Sequence, residues 1–186
     1  MTETQRLILR PFAESDANDV FEYLSEQTVH CFVSMKTKTL EDAQKAVMDR
    51  IKDKEYYFAI VLKETGKVIG EINAMSEPSA LDDKNAPHDT FSPCWILNSA
   101  YQGKGYAFEA AQAFFEYLFS QKGARRIYAY TEDYNTASQK LCEKLGMRRE
   151  GLFREYVTFV KDENGEPIYE NTYQFAILKK EWEMRK

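Results

Sequence analysis

Apolar residues recur along this chain with a period of two in some stretches and of three to four in others, and the switches between the two mark out its elements. Leu7 and Leu9 alternate with Arg6, Ile8 and Arg10 ahead of Pro11, which predicts a strand over 6–10. Ser15 and Asp16 then precede Val20, Phe21 and Leu24, a capping signal followed by helical spacing. Thr39 repeats the signal with Asp42 three places on, and Ala43, Ala46, Val47 and Ile51 form one stripe of a second helix. Residues 56–62 and 67–74 are rich in β-branched and aromatic side chains, and Glu64, Thr65 and Gly66 between them have hairpin composition, so the two should pair antiparallel.

The stretch 76–92 carries Pro78, Pro87, Asp82, Asp83 and Asp89 without a hydrophobic period, which predicts a long loop. Residues 94–97 read as a short strand. A helix over 105–118 follows, with Ala107, Ala110, Ala111, Phe114, Phe115 and Leu118 in register and Gly123 beyond its end. Residues 126–131 are the next strand, and Asn135 caps a helix carrying Ala137, Leu141 and Leu145, closed by Gly146. A strand-helix-strand unit of this kind joins parallel strands by a right-handed crossover, so the middle of the sheet should be parallel and its flanks antiparallel. Strands over 153–160 and 168–178 form a closing hairpin around Asp162, Glu163, Asn164 and Gly165. No repeat or linker divides the pattern, which predicts one domain over 1–186.

Composition narrows the class. With 44% hydrophobic and 14% aromatic residues in 186, the chain can bury a core without disulfides or metal. No apolar run approaches the roughly 20 residues of a membrane span, and charges flank the short apolar stretch at the start, so neither a membrane anchor nor a signal peptide is expected. Three cysteines, Cys31, Cys94 and Cys142, have no ligand spacing, and the histidines are only His30 and His88. These features predict a cytoplasmic protein with reduced thiols and no metal site. A net charge of −5 argues against general nucleic-acid binding and favours a cationic partner.

The most informative segment is Gln102, Gly103, Lys104, Gly105, Tyr106 and Ala107, between a strand and a helix, where backbone N–H groups and the helix dipole favour an anion. A Walker loop would need Ser or Thr after Lys104, where Gly105 stands. A dinucleotide fingerprint would need a small residue where Phe108 stands. Glycine serving an ordinary turn is the alternative.

The pattern that remains, Gln-x-x-Gly-x-Ala, resembles the coenzyme A pyrophosphate loop of the GNAT superfamily of acetyltransferases. The run from Trp95 through Ala107 with Glu109 and Ala110 resembles the Rim-type branch, which acetylates ribosomal-protein N-termini. So do Asn135, Ser138 and Leu141, and Glu143 to Met147 with Glu150 and Gly151. Leu7 to Pro11 and Ala176 to Trp182 match the branch's two ends, so the similarity spans almost the whole chain. It implies the GNAT α/β fold: a mixed central sheet of about seven strands, antiparallel flanks, a splayed parallel pair in the middle and helices on both faces. It also implies an acetyl-CoA-dependent N-acetyltransferase acting on a primary amine, either a protein N-terminus or a small molecule, by direct attack in a ternary complex. A coenzyme-A-binding sensor without catalysis is the competing reading, and the resemblance leaves a homodimer open.

By the same resemblance, the backbone of Trp95, Ile96 and Leu97 holds the pantetheine arm and polarises the thioester. Gln102 to Ala107 grip the phosphates, Asn135 contacts the coenzyme, and Ser138 is both a contact and the acid that protonates the leaving thiolate. Many members place a tyrosine acid where Cys142 stands, so that role does not transfer. Glu71, on a predicted central strand, has two readings: a base that takes the amine's proton through water, or an alternating residue on a solvated face. Cys142 itself reads as a packing residue, and Arg125 and Arg126 either balance phosphates or are plain surface charges. The stretch 76–92 exceeds the corresponding Rim-type connection, and Cys94 and Ser99 replace a common glycine and proline. The extra length suggests either a flap near the acceptor, whose Asp82, Asp83 and Asp89 attract a cation, or a solvated loop.

Overall fold

Thr39 caps the second helix as its spacing foretold. Its hydroxyl accepts from the Asp42 backbone N–H at 3.1 Å while the Asp42 carboxylate accepts from the Thr39 N–H at 3.0 Å. That reciprocal pair satisfies donors that a helix start otherwise leaves open. The protein is described by a computed structural model covering residues 2–27, 29–80 and 82–185. In chain order these form β1 (Thr2–Glu3), β2 (Leu7–Arg10), α1 (Ala17–Ser25), α2 (Leu40–Lys52), β3 (Tyr57–Leu62), β4 (Val68–Glu77), β5 (Thr90–Leu97), α3 (Tyr106–Gln121), β6 (Arg126–Glu132), α4 (Thr136–Lys144), β7 (Arg148–Lys161), β8 (Pro167–Leu178) and α5 (Lys179–Glu183). The strands form a mixed eight-stranded sheet in the order β1-β2-β3-β4-β5-β6-β8-β7, with helices on both faces.

Two compact units share the chain, neither of them continuous in sequence. The first comprises residues 2–27, 36–75 and 93–123. Here β2 pairs antiparallel with β3, and β3 with β4, and alternation on β2 buries Leu7 and Leu9 while Ile8 and Arg10 stay half-buried. Val20 and Leu24 of α1, Val47 of α2, and Phe114, Phe115 and Leu118 of α3 are fully enclosed. Each such side chain contributes about 1.5–3 kcal/mol of apolar burial.

The second unit comprises 29–35, 76–92 and 124–185. Its parallel ladder joins β5 to β6 at Thr90↔Arg126 and Phe91↔Ile127, as the crossover rule requires, and β6 continues antiparallel to β8. The β7–β8 hairpin is longer than its apolar pattern predicts, reaching Lys161 and Pro167 with mostly exposed faces. The predicted 76–92 loop is shorter than expected, because β4 runs on to Glu77 and β5 begins at Thr90. Proline and aspartate in the middle of that stretch masked polar strand ends on either side. Leu81 of this loop lies outside the described residues. Asp89 is committed to Arg125 at 3.2 Å and Arg126 to Glu150 at 2.5 Å, so both arginines are paired surface charges. A 3₁₀ turn over His30–Met35 and the short α5 had no clear signal in the pattern.

Candidate functional site

In the first unit, β5 delivers the chain to the candidate phosphate loop. Trp95 and Leu97 are half-buried and Ile96 is buried. Gly70 on β4 lies so close to this strand that a Cβ there would collide with the Ile96 carbonyl, which explains why the position holds no side chain. The Asn98 N–H donates to the Ile69 carbonyl at 2.9 Å, and the buried Asn98 side chain caps a short turn by accepting from the Ala100 N–H at 3.0 Å. Gln102, Gly103, Lys104 and Gly105 then lie exposed, with Tyr106 and Ala107 half-buried at the start of α3.

Gly103 and Gly105 take φ of 73° and 84°, the left-handed region that favours glycine, and nothing lies within 4 Å of a Cβ built on Gly103. No side chain caps α3, a helix of 16 residues. Its first N–H groups have no intrahelical acceptor, and its dipole places roughly half a positive charge there. An exposed loop with open backbone ahead of such a helix fits a pyrophosphate. Lys104 Nζ donates to the Ala100 carbonyl at 2.9 Å and Gln102 Nε2 to the Leu97 carbonyl at 3.1 Å, so both side chains brace the loop.

A latch from the turn between β1 and β2 holds the loop. Glu109 accepts from the Thr4 hydroxyl at 2.6 Å and from the Arg6 N–H and Nε at 2.7 Å each, and Arg6 Nη1 donates to the Lys104 carbonyl at 3.0 Å. The Arg6 guanidinium also lies 4.4 Å from the Tyr106 ring centre. Burial pushes the Glu109 carboxyl up, but the hydrogen bonds from Thr4 and Arg6 outweigh it and hold it below its ordinary value.

Glu71 does not sit on a solvated face. It is 0% exposed and accepts four hydrogen bonds: from Tyr23 Oη at 2.6 Å, Arg50 Nε at 2.8 Å, Arg50 Nη2 at 2.9 Å and Tyr57 Oη at 2.8 Å. One carboxylate thus ties α1, α2, β3 and β4 together. Burial and the adjacent Glu71 charge keep both phenols protonated well above the usual tyrosine range. Burial alone would lower the Arg50 guanidinium, yet the Glu71 charge raises it above its ordinary value. With its oxygens saturated by donors, Glu71 has no lone pair directed at solvent.

In the second unit, Asn135 caps α4 as predicted, its Oδ1 accepting from the Ser138 N–H at 3.2 Å. Ser138 is half-buried on the first turn. Asn135 Nδ2 donates to Glu132, itself buried, at 3.4 Å. Cys142 is fully buried and its thiol is pushed up to about 12, by burial first and then by the charge of Glu143, which makes it a packing residue and a poor nucleophile.

This unit also holds a cluster that sequence reasoning missed. Glu170 on β8, 6% exposed, bonds Nδ1 of His30 and accepts from Tyr134 Oη at 3.3 Å. The His30 and Tyr134 rings lie 5.5 Å apart. The one available signal was a glutamate at a core-facing position of β8, alternating with Thr172; its partners lie 140 and 36 residues away.

Residues 6–148 match a family model described as Acetyltransferase (GNAT) domain. The uncharacterized N-acetyltransferase YnaD of Bacillus subtilis is 34% identical over 179 residues, 96% of this chain and 97% of that protein. A GNAT-family acetyltransferase from Bacillus anthracis has the same fold with a TM-score of 0.81 at 30% identity, over 96% of this chain and 98% of that one. The ribosomal protein uS5-alanine N-acetyltransferase of Escherichia coli is 27% identical over 105 residues, 55% of this chain and 50% of that protein.

Proposed function

This chain belongs to the GNAT family of acetyl-CoA-dependent N-acetyltransferases, and on that premise we propose that its acceptor is a primary amine of the α-amino kind, at a peptide N-terminus or on a small molecule, in the manner of the Rim-type branch. The observation that carries the coenzyme half is the exposed loop Gln102 to Gly105, with two left-handed glycines leading into an uncapped α3. Likeness to the uS5-alanine N-acetyltransferase supports an N-terminal amine as the other half.

Acetyl-CoA supplies an activated acyl group; the rest is the work of the chain. Backbone N–H groups of the loop and of Tyr106 and Ala107 bind phosphate oxygens. A backbone N–H in the Trp95, Ile96 and Leu97 segment stabilises the negative charge that develops on the acyl oxygen, an effect worth about 3 kcal/mol. Asn135 orients the coenzyme, and Ser138 Oγ gives up a proton to the departing sulfur. An α-amine, with a reference pKa near 8 against about 10.4 for lysine, presents a neutral fraction at pH 7 large enough for modest base assistance to suffice. Glu71, saturated by Arg50 and two tyrosines, acts in this reading as a structural anion and not as that base.

Thiol release from acetyl-CoA, followed with a panel of amines starting from alanine- and serine-initiated peptides, tests the reading. Acceptor-dependent release that exceeds hydrolysis is expected. Tight coenzyme binding with no acceptor-dependent release would instead favour a non-catalytic coenzyme sensor.

A further inference from the structure

On one face of its sheet, the second unit carries a hydroxyl and a carboxylate that the chain itself leaves open. Glu132 of β6 lies directly opposite Thr172 of β8, and Thr172 directly opposite Phe153 of β7, so the three form one row across the strands. Thr172 is 3% exposed and its hydroxyl has no hydrogen-bond partner. Glu132 is 6% exposed; among the described residues its carboxylate accepts one hydrogen bond, from Asn135 Nδ2 at 3.4 Å, and pairs with no lysine or arginine. Buried hydroxyls and carboxylates are nearly always paired, and a buried anion without a cation is costly to keep. A ligand that brings both N–H donors and positive charge would complete such a row.

Aromatic rings wall it. In a regular strand Phe153 and Tyr156, three residues apart, would point to opposite faces. Here the β7–β8 register slips between Phe153 and Val157, and Glu155 takes φ of 48°, a left-handed conformation that residues with a Cβ rarely adopt. The Glu155 N–H donates to Asn171 Oδ1 at 3.0 Å and Asn171 Nδ2 to Asp133 at 2.9 Å, which holds the bulge in place. Both rings consequently meet Tyr130 of β6, at centroid distances of 6.1 and 5.6 Å, and each other at 5.1 Å. Tyr130 stands two residues before Glu132 on the same face of β6, and Gln174 Nε2 donates to its hydroxyl at 3.2 Å. All three rings remain exposed. A strained bulge that re-aims side chains is a mark of a binding surface, and ring faces attract cations and carbon chains alike.

We infer that this face of β6, β7 and β8 binds a primary alkylammonium ion. Its N–H groups donate to Thr172 Oγ1 and to the Glu132 carboxylate, its charge neutralises Glu132, and its carbon chain lies against Tyr130, Phe153 and Tyr156. Glu170, two residues from Thr172 on the same face, is already engaged by His30 and Tyr134 and does not compete for the ligand. A metal ion does not suit the row: among the described residues no group of three or more His, Cys, Asp or Glu side chains could hold one. Every residue of the site lies in the second unit, so binding requires neither coenzyme nor the phosphate loop.

Calorimetric titration of the full chain with n-hexylammonium, without coenzyme, tests the site, with n-hexanol, n-hexyltrimethylammonium and potassium chloride as controls. The primary ammonium should bind at least about tenfold more tightly than hexanol, which lacks the charge, and than the trimethylated ion, which lacks N–H donors. Glu132→Gln and Thr172→Val should each weaken it about tenfold, and Tyr130→Leu about threefold. Thr172→Val also separates binding from folding: its hydroxyl has no partner to lose, so its Tm should equal or exceed that of wild type. Should Glu132→Gln fail to fold, Thr172→Val carries the same affinity comparison. Hexanol binding as tightly as the ammonium would reduce the face to an apolar patch and overturn the inference, and displacement by equimolar potassium would overturn it in favour of an inorganic cation. Unchanged affinity in Thr172→Val, or a Tm well below wild type in that variant, overturns it too. None of these outcomes touches the acetyltransferase reading, which thiol release tests separately.

Discussion

Glu71 and Glu170 are both buried carboxylates on sheet strands, yet the chain surrounds them in opposite ways. Around Glu71 it gathers a bidentate arginine and two phenols, none of which can easily give up or take a proton near neutrality. Around Glu170 it places a half-exposed imidazole and one longer tyrosine bond. The first arrangement fixes charge in place and stabilises a fold. The second leaves a ring part-exposed beside a buried carboxylate. A carboxylate's burial therefore says little about its role; the donors that face it say much more.

The largest effect expected from this contrast is on stability. Replacing Glu71 by Gln, or Arg50 by Ala, leaves a buried charge uncompensated and should cost about 3–5 kcal/mol, a fall in Tm of roughly 10 °C for a chain of this size. Thermal unfolding measures it. If Glu71→Gln instead kept its Tm and lost turnover, the contrast would collapse and Glu71 would be the base.

Next in size is the coupling between His30 and Glu170. Because Glu170 is the ion-pair partner of His30, the double variant His30→Ala/Glu170→Gln should be less destabilised than the two single losses added together, by about 2 kcal/mol in a thermal-unfolding cycle. Costs that simply add would show that the two side chains are not coupled.

The tyrosines sharpen the comparison further. Tyr57→Phe removes a bond to a buried carboxylate and should cost about 1.5 kcal/mol in a denaturant titration, whereas Tyr134→Phe, losing a 3.3 Å bond at an exposed ring, should stay within about 0.5 kcal/mol. Equal costs would mean that the two carboxylates are held alike.

Much of the local structure was legible in sequence because it is set by neighbours. Thr39 with Asp42, Asn135 with Ser138, and the glycines at 103 and 105 all act within four residues, and the structure has each cap and turn where the spacing put it. What was not legible is what distance hides. Tyr23, Arg50 and Tyr57 meet Glu71 from 48, 21 and 14 residues away, and His30 meets Glu170 from 140, so no window of sequence contains either arrangement. The ends of β4 and β5 were hidden for another reason. Their polar residues pair through the backbone, which carries no side-chain signature.

The smallest expected effect concerns Glu109, an intermediate case: well supplied with donors, but near the surface. A carboxyl depressed in the folded state contributes stability above its unfolded value and loses it as pH falls through the folded one. The latch is therefore closed throughout the ordinary carboxylate range and opens only in stronger acid beneath it. Glu109→Gln should weaken acetyl-CoA binding at pH 7 by roughly fivefold, about 1 kcal/mol, and flatten the acid limb of the binding curve. An unchanged limb would assign that titration to another group.

That latch has a wider consequence for affinity. A glycine-rich loop free to wander would have to be ordered each time a coenzyme arrived, and the entropy of ordering would be subtracted from every binding event. Because Arg6 grips the Lys104 carbonyl from nearly a hundred residues upstream, that ordering is completed once, when the protein folds. The preorganisation of the candidate phosphate loop is thereby written partly into the turn between β1 and β2, at a residue with no chemistry of its own to perform.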